Sequence, residues 1–92
     1  MKIYLFEGKA NMCGENIKNY RIGLKLSQSD LAARLQTFGV LIEQKAISRI
    51  ELGDRVVADY ELVALSKALG VTVYDLLGLQ EPSAKQRHIK QK

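Results

Sequence analysis

The chain has 92 residues, of which 47% are hydrophobic, so it is long enough for one compact domain with its own core. Lysines and arginines number 14 against 10 acids, and the net charge of +4 permits a polyanionic partner without requiring one. Cys13 is the single cysteine, so no disulfide can form within the chain. No apolar run is long enough for a membrane span or a signal-peptide core. We therefore expect a cytoplasmic protein with no membrane segment, metal or cofactor.

Glycine, proline and capping residues divide the chain into an extension (1–11), a folded domain (12–80) and a basic tail (81–92). The extension contains strand-forming residues but has no evident partner strand. We therefore expect a loosely ordered arm rather than a strand that forms a dimer. The tail is expected to be a solubilising end, and its His88 has no spacing that suits a metal.

Hydrophobic periodicity predicts five helices with apolar stripes at three- and four-residue spacing. Ser27 and Asp30 have the spacing of a capping box, which places the start of the second helix at Gln28. Glycines then supply the left-handed conformation that ends the second, third and fourth helices. The predicted helices cover residues 13–24, 28–38, 44–52, 59–69 and 73–77.

Apolar residues at the ends of the first two helices are expected to face the core. The first helix contributes Ile17, Tyr20, Ile22 and Leu24, and Phe38 completes the stripe of the second. Cys13 is interpreted as a small packing residue rather than a reactive thiol.

The pattern from the second helix to the fifth is more specific than any single motif in the chain. Its residues are Ser27, Gln28, Leu31, Ala32, Gly39, Gln44, Ile47, Ser48, Glu51 and Gly53, then residues 69–73, Leu76 and Leu77. Over residues 14–79 the chain resembles the phage-repressor-like family, the Xre or lambda-repressor-like group of bacterial and phage helix-turn-helix regulators. The resemblance implies an all-α, five-helix lambda-repressor-like DNA-binding domain.

Three departures from the usual pattern of this family bear on the site. Eight residues separate Leu35 from Gln44, more than the common motif has, so an extended turn should join the second and third helices. Glu43 replaces the usual Ser or Thr cap of the third helix, and its charge favours the helix dipole while repelling a nearby phosphate. Ala58 replaces another usual cap, so we expect Asp59 to cap the fourth helix.

The exposed face of the third helix carries side chains that suit DNA. An α-helix fits the major groove of B-DNA, where glutamine can pair with adenine and arginine with guanine. Each good pair discriminates between bases by about 1–3 kcal/mol. Family members read bases at the matching positions, so the resemblance assigns base readout to Gln44, Lys45 and Arg49.

Contacts with the DNA backbone are expected elsewhere in the motif. Gln28, in the first turn of the second helix, is positioned to bind a phosphate. Ser48 and Arg55 are expected to contact the backbone or the groove edge, because family members commonly touch DNA after the third helix. The resemblance assigns Arg21 and Glu51 to a structural ion pair that ties the first helix to the end of the third.

The leading functional hypothesis is a sequence-specific transcriptional regulator that represses by occluding a promoter. It would bind a near-palindromic site in double-stranded DNA as a homodimer, because the family usually does so. The alternative is a protein-interaction module of the same fold, or an antitoxin that also binds a toxin. Glu43 and the near-neutral middle of the chain motivate that alternative. An enzyme is not expected, because the sequence shows no paired carboxylates, nucleophile with base, phosphate loop or metal cluster.

Overall fold

The structure is a computed structural model that describes residues 5–82, and it confirms the all-α, five-helix architecture. The helices are α1 (Gly14–Gly23), α2 (Gln28–Thr37), α3 (Gln44–Leu52), α4 (Asp59–Leu69) and α5 (Val73–Leu77). α3 packs on α1 and α2, α4 packs on α2, and α5 packs on α1 and α4. None of these helices is long and apolar enough to cross a bilayer. The predictions for residues 1–4, for residues 83–92 and for His88 lie outside the described residues.

One buried cluster draws side chains from all five helices. Its fully buried large members are Ile17, Leu31, Leu35, Ile42, Ile47, Ile50, Leu65 and Leu76. Burying an aliphatic side chain of this size contributes about 1.5–3 kcal/mol relative to leaving it exposed. Because α3 contributes both Ile47 and Ile50 to the cluster, its rotation about its own axis is fixed by the core.

In the first two helices, four large side chains that the sequence placed in the core are exposed instead, namely Tyr20, Ile22, Leu24 and Phe38. In α1 the buried face consists of Ile17 with the residues at the helix start, and the helix ends before Leu24. α2 ends at Thr37, one residue earlier than predicted, with Phe38 as its C-cap and Gly39 following at a φ of +77°. Phe38 therefore leaves the buried stripe and lies on the surface.

Residues 6–9 form a tight turn and residues 9–11 pack on the end of α3, so the expectation of a loosely ordered arm is wrong for this part of the extension. Phe6 and Lys9 exchange two backbone hydrogen bonds of 2.8 and 3.0 Å across a tight turn. The turn residues Glu7 and Gly8 both have positive φ, as a two-residue hairpin loop requires. The backbone N–H of Ala10 then donates to the carbonyl of Gly53 at 2.8 Å.

The side chain of Asn11 joins the start of α1 to the end of α3. Its Oδ1 accepts hydrogen bonds from the backbone nitrogens of Cys13 and Gly14, at 3.1 and 2.7 Å, and so satisfies free donors at the helix start. Its Nδ2 donates to the carbonyls of Ile50 and Arg55, at 3.0 and 2.8 Å. One amide therefore sets the position of α1 relative to the last turn of α3.

The capping box predicted at α2 is present in full. Ser27 Oγ accepts from the backbone nitrogen of Asp30, and Asp30 Oδ2 accepts from that of Ser27, both at 2.9 Å. At α4 the N-cap is Ala58, whose backbone nitrogen donates to the Glu61 carboxylate at 3.0 Å. The expectation that Asp59 caps α4 is wrong, because Asp59 is already the first helical residue and Glu61 satisfies the free donor.

The contact between α1 and α3 is so close that it requires glycine at position 14. A Cβ at Gly14 would collide with the carbonyl oxygen of Ile50, whereas a Cβ at Gly23 in the same helix would meet open space. We predict that Gly14→Ala lowers the free energy of unfolding by about 1–3 kcal/mol through overpacking. The matched variant Gly23→Ala should raise it by up to about 1 kcal/mol, because alanine is the better helix former. Urea denaturation measures both changes, and losses of equal size in the two variants would contradict this account.

Candidate nucleic-acid interface

α3 presents a polar face because its apolar residues lie on the opposite side. Ile47 and Ile50 are fully buried, and the exposed polar residues of the helix lie on the side away from them. Gln44, Lys45 and Arg49 are exposed and Ser48 is half-buried. The four contact residues predicted on this helix therefore share one continuous surface.

The two cations on this surface are free to meet a partner. Within residues 5–82, neither Lys45 nor Arg49 forms an ion pair or a side-chain hydrogen bond. Both side chains are exposed, and no carboxylate in the described part of the chain lies at ion-pair distance to neutralise their charge. Their donors and their positive charge remain available at the exposed face of α3.

Behind this face, Arg21 of α1 and Glu51 of α3 form a bidentate ion pair. Arg21 Nε and Nη2 donate to the two carboxylate oxygens at 2.6 and 3.0 Å, and Nη1 donates to the carbonyl of Leu26 at 2.8 Å. The Arg21 side chain is 11% exposed and that of Glu51 is 3% exposed. The hydrogen bonds that Arg21 donates to Glu51 raise the pKa of Arg21 above its ordinary value, against the effect of burial. The pair ties α1 to the end of α3.

Two glutamines extend this pair to the surface of α3. Gln28 Nε2 donates to Glu51 Oε1 at 3.0 Å, and Gln44 Nε2 donates to Gln28 Oε1 at 2.6 Å. The predicted phosphate contact, Gln28, and the first predicted readout residue, Gln44, are therefore directly bonded to each other. Hydrogen bonds run without a break from the partly buried Arg21 to the exposed amide of Gln44.

Glu51 determines the direction of the bonds in this series. An ionised carboxylate can only accept hydrogen bonds, so Gln28 must turn its NH₂ group toward Glu51 and its oxygen toward Gln44. Gln44 must in turn direct its own NH₂ group at Gln28. This leaves the Oε1 acceptor of Gln44 and its second N–H donor facing outward.

Arg55, predicted to contact the DNA backbone, is engaged within the protein. Its Nη1 and Nη2 donate to the two carboxylate oxygens of Glu61, both at 3.0 Å, and the side chain is 28% exposed. The hydrogen bonds that Arg55 donates to Glu61 raise the pKa of Arg55 above its ordinary value. Since Glu61 also binds the N-cap of α4, a phosphate contact by Arg55 would have to share its guanidinium with that carboxylate.

The comparisons with known proteins identify the family. The model of the HTH_3 helix-turn-helix family matches residues 17–76, which include α2, α3, α4 and most of α1 and α5. The chain belongs to this helix-turn-helix family. It is the Xre or lambda-repressor-like family, whose members bind DNA and regulate transcription.

A solved structure shares the fold of this HTH_3 protein. It is described as a hypothetical transcription factor NHTF from Neisseria, with a TM-score of 0.63 and 22% sequence identity. The match covers 99% of the present chain and 100% of the other. The comparison with curated proteins finds no match.

Several features of the HTH_3 site were not found from the sequence. The bond between Gln28 and Gln44 joins two helices whose relative position the sequence does not specify, although each residue was singled out. The role of Asn11 was missed, because its four hydrogen bonds reach residues up to 44 positions away. The pairing of Arg55 with Glu61 could have been predicted from the sequence, because Glu61, whose carboxylate caps α4, lies only six residues after Arg55.

The ion pair at the start of α4 gives the HTH_3 domain a pH-dependent contribution to stability. The hydrogen bond from Arg55, together with the backbone nitrogen of Ala58, lowers the pKa of Glu61 in the folded state. Because the folded pKa lies below the unfolded one, this contribution is complete above about pH 4.3 and is lost as the pH falls through the folded pKa. We predict that the free energy of unfolding decreases less steeply below this pH in Glu61→Gln than in the parent protein. Thermal unfolding between neutral pH and about pH 3 measures the slopes, and equal slopes would contradict the assignment.

Proposed function

We propose that this chain is a sequence-specific transcriptional repressor that inserts α3 into the major groove of double-stranded DNA. The observation that carries the proposal is the series of hydrogen bonds from Arg21 to Gln44, which holds an exposed amide in one orientation. Exposed side chains lose conformational freedom on binding, and an amide held in place before binding loses less. The arrangement is suited to base readout.

The orientation of the Gln44 amide favours adenine. Adenine presents the N7 acceptor and the N6 donor in the major groove, whereas guanine presents two acceptors there. Gln44 offers outward one acceptor, Oε1, and one remaining donor on Nε2. This pair of groups matches adenine and leaves one group unmatched against guanine.

The remaining residues of the face complete the proposed interface. Arg49 is exposed and unpaired within the described residues, and its forked guanidinium suits the two acceptors of guanine. Lys45 supplies a second cation beside Gln44, for a base edge or a phosphate. Ser48 is half-buried, so its short hydroxyl is better placed for the groove edge. Arg55 contributes to the contact with the DNA backbone only if its guanidinium binds a phosphate and the Glu61 carboxylate at the same time.

Repression would follow from a homodimer bound to a near-palindromic operator in the cytoplasm. Two copies related by a two-fold axis place their α3 helices in successive turns of the major groove, which doubles the length of sequence that is read. Exposed apolar side chains away from α3, namely Tyr60, Val63 and Leu79, are available for contact between copies. A dimer of this kind on a promoter blocks access by polymerase and needs neither catalysis nor a cofactor.

The second candidate is a protein-interaction module, including an antitoxin that binds both DNA and a toxin. The observation in its favour is the exposed carboxylate of Glu43 at the start of α3, which repels a phosphate there. This candidate needs a protein partner, which the repressor does not. A module that does not bind DNA would select no operator from random sequences. The DNA selection described next therefore distinguishes that module from the proposed function.

We predict that selection from random duplex DNA yields an operator with an essential A·T pair read by Gln44. Gln44→Ala should reduce discrimination at that pair by about 1–3 kcal/mol and leave the other positions nearly unchanged. Gln80→Ala removes an exposed glutamine outside the helices and serves as the matched control. Quantitative band-shift titration at fixed salt against every single-base substitution measures the effect. Failure to select any operator, or equal losses at all positions, would contradict the proposal.

Gln28→Ala separates two roles that this residue combines. Loss of a phosphate contact weakens binding to all sequences by the same factor, whereas loss of support for Gln44 reduces discrimination at the A·T pair alone. We predict that Gln28→Ala produces the second effect, at a smaller size than Gln44→Ala, in the same titrations. If the variant binds every operator more weakly by one common factor, Gln28 does not orient Gln44.

A further inference from the structure

The connection between α2 and α3 holds an exposed leucine in a fixed position. Leu41 is 71% exposed, more than any other large hydrophobic side chain within residues 5–82. Its two neighbours anchor the backbone. The backbone nitrogen of Val40 donates to the carbonyl of Leu35 at 3.1 Å, and Ile42 is 2% exposed in the core. The exposure of Leu41 is therefore a feature of the fold.

Leu41 and Gln44 line the same open groove, which has a volume of about 360 Å³ and lies between α2 and the connection to α3. Small side chains of α2, among them Ala32 and Ala33, form its other wall. Glu43 is the charged residue in the lining, and no lysine or arginine takes part. The groove consequently suits an uncharged, partly apolar group and repels a phosphate.

We propose that Leu41 contacts the 5-methyl group of a thymine in the base pair next to the adenine read by Gln44. The inference rests on the proposed function. Thymine carries an apolar group on its major-groove edge, and apolar side chains recognise it by contact. When Gln44 binds a duplex, the DNA covers the groove that Leu41 and Gln44 both line. The leucine then loses its contact with water, which is favourable for an apolar side chain.

The test replaces single thymines of the selected operator by deoxyuridine, which lacks only the 5-methyl group. For the parent protein we expect the affinity to fall about fourfold at one thymine adjacent to the Gln44-dependent A·T pair, the size expected for one methyl group. Leu41→Ala should bind the thymine and deoxyuridine forms of that position equally. Because Leu41 is mostly exposed, this variant should keep the unfolding midpoint of the parent.

Leu24→Ala is the matched control, because Leu24 is an exposed leucine outside the groove. It should keep the full deoxyuridine effect. The proposal is overturned if Leu41→Ala shows the same deoxyuridine effect as the parent, or if no thymine lies adjacent to the Gln44-dependent pair. Either result leaves the proposed function intact, since discrimination by Gln44 is measured separately. Failure to select any operator would overturn both.

A second copy of the chain is the other possible occupant of the groove. Sedimentation equilibrium of the parent and of Leu41→Ala without DNA tests this arrangement. If the substitution weakens self-association and the deoxyuridine effect is unchanged, Leu41 lies between protein copies and the proposal is wrong. Unchanged self-association together with loss of the deoxyuridine effect supports it.

Discussion

The buried ion pair between Arg21 and Glu51 is the interaction on which the arrangement of the first three helices depends. Moving two charges out of water costs several kcal/mol for each ion, and only close, fully hydrogen-bonded geometry offsets that cost. Here the guanidinium also binds the carbonyl of Leu26, and the carboxylate also accepts from Gln28. Removing one partner would leave an uncompensated buried charge, at about 3–5 kcal/mol. α1, α2 and α3 are therefore constrained to one relative placement.

This constraint extends to both ends of α3. At the start of the helix, Gln28 holds the amide of Gln44 by a hydrogen bond whose direction follows from the carboxylate of Glu51. At its end, Asn11 binds the carbonyl of Ile50, and the backbone of Ala10 binds that of Gly53. Core packing then fixes the rotation of the helix. A polar face held at both ends and in rotation is what a helix needs to present side chains in a fixed register to the base pairs.

The sequence predicted much of this structure, because local signals determine the helices. Caps and glycines define where helices begin and end, so three of the five helices have the predicted bounds. Local signals failed where burial depends on long-range packing. Tyr20 and Phe38 have the spacing of core residues, yet both are exposed in the folded protein. The packing of residues 9–11 on the end of α3 was missed for the same reason, since its hydrogen bonds join residues far apart in the chain.

The candidate site was only partly predictable. The residues of the α3 face were identified from their place in the family pattern, but the sequence alone does not show which of them are already bonded within the protein. Arg55 illustrates the difference, because a cation expected to meet phosphate is paired with Glu61. The bond between Gln28 and Gln44 illustrates the opposite case, in which two separate predictions belong to one network.

The central claim is that α3 enters the major groove with the Gln44 amide held by Gln28. A crystal structure of the protein bound to its selected operator tests it most directly. We predict that Gln44 Oε1 and Nε2 lie within hydrogen-bond distance of adenine N6 and N7, while Gln44 Nε2 still donates to Gln28. A complex in which α3 faces solvent, or in which the amide of Gln44 has separated from Gln28 to reach the base, would contradict this account.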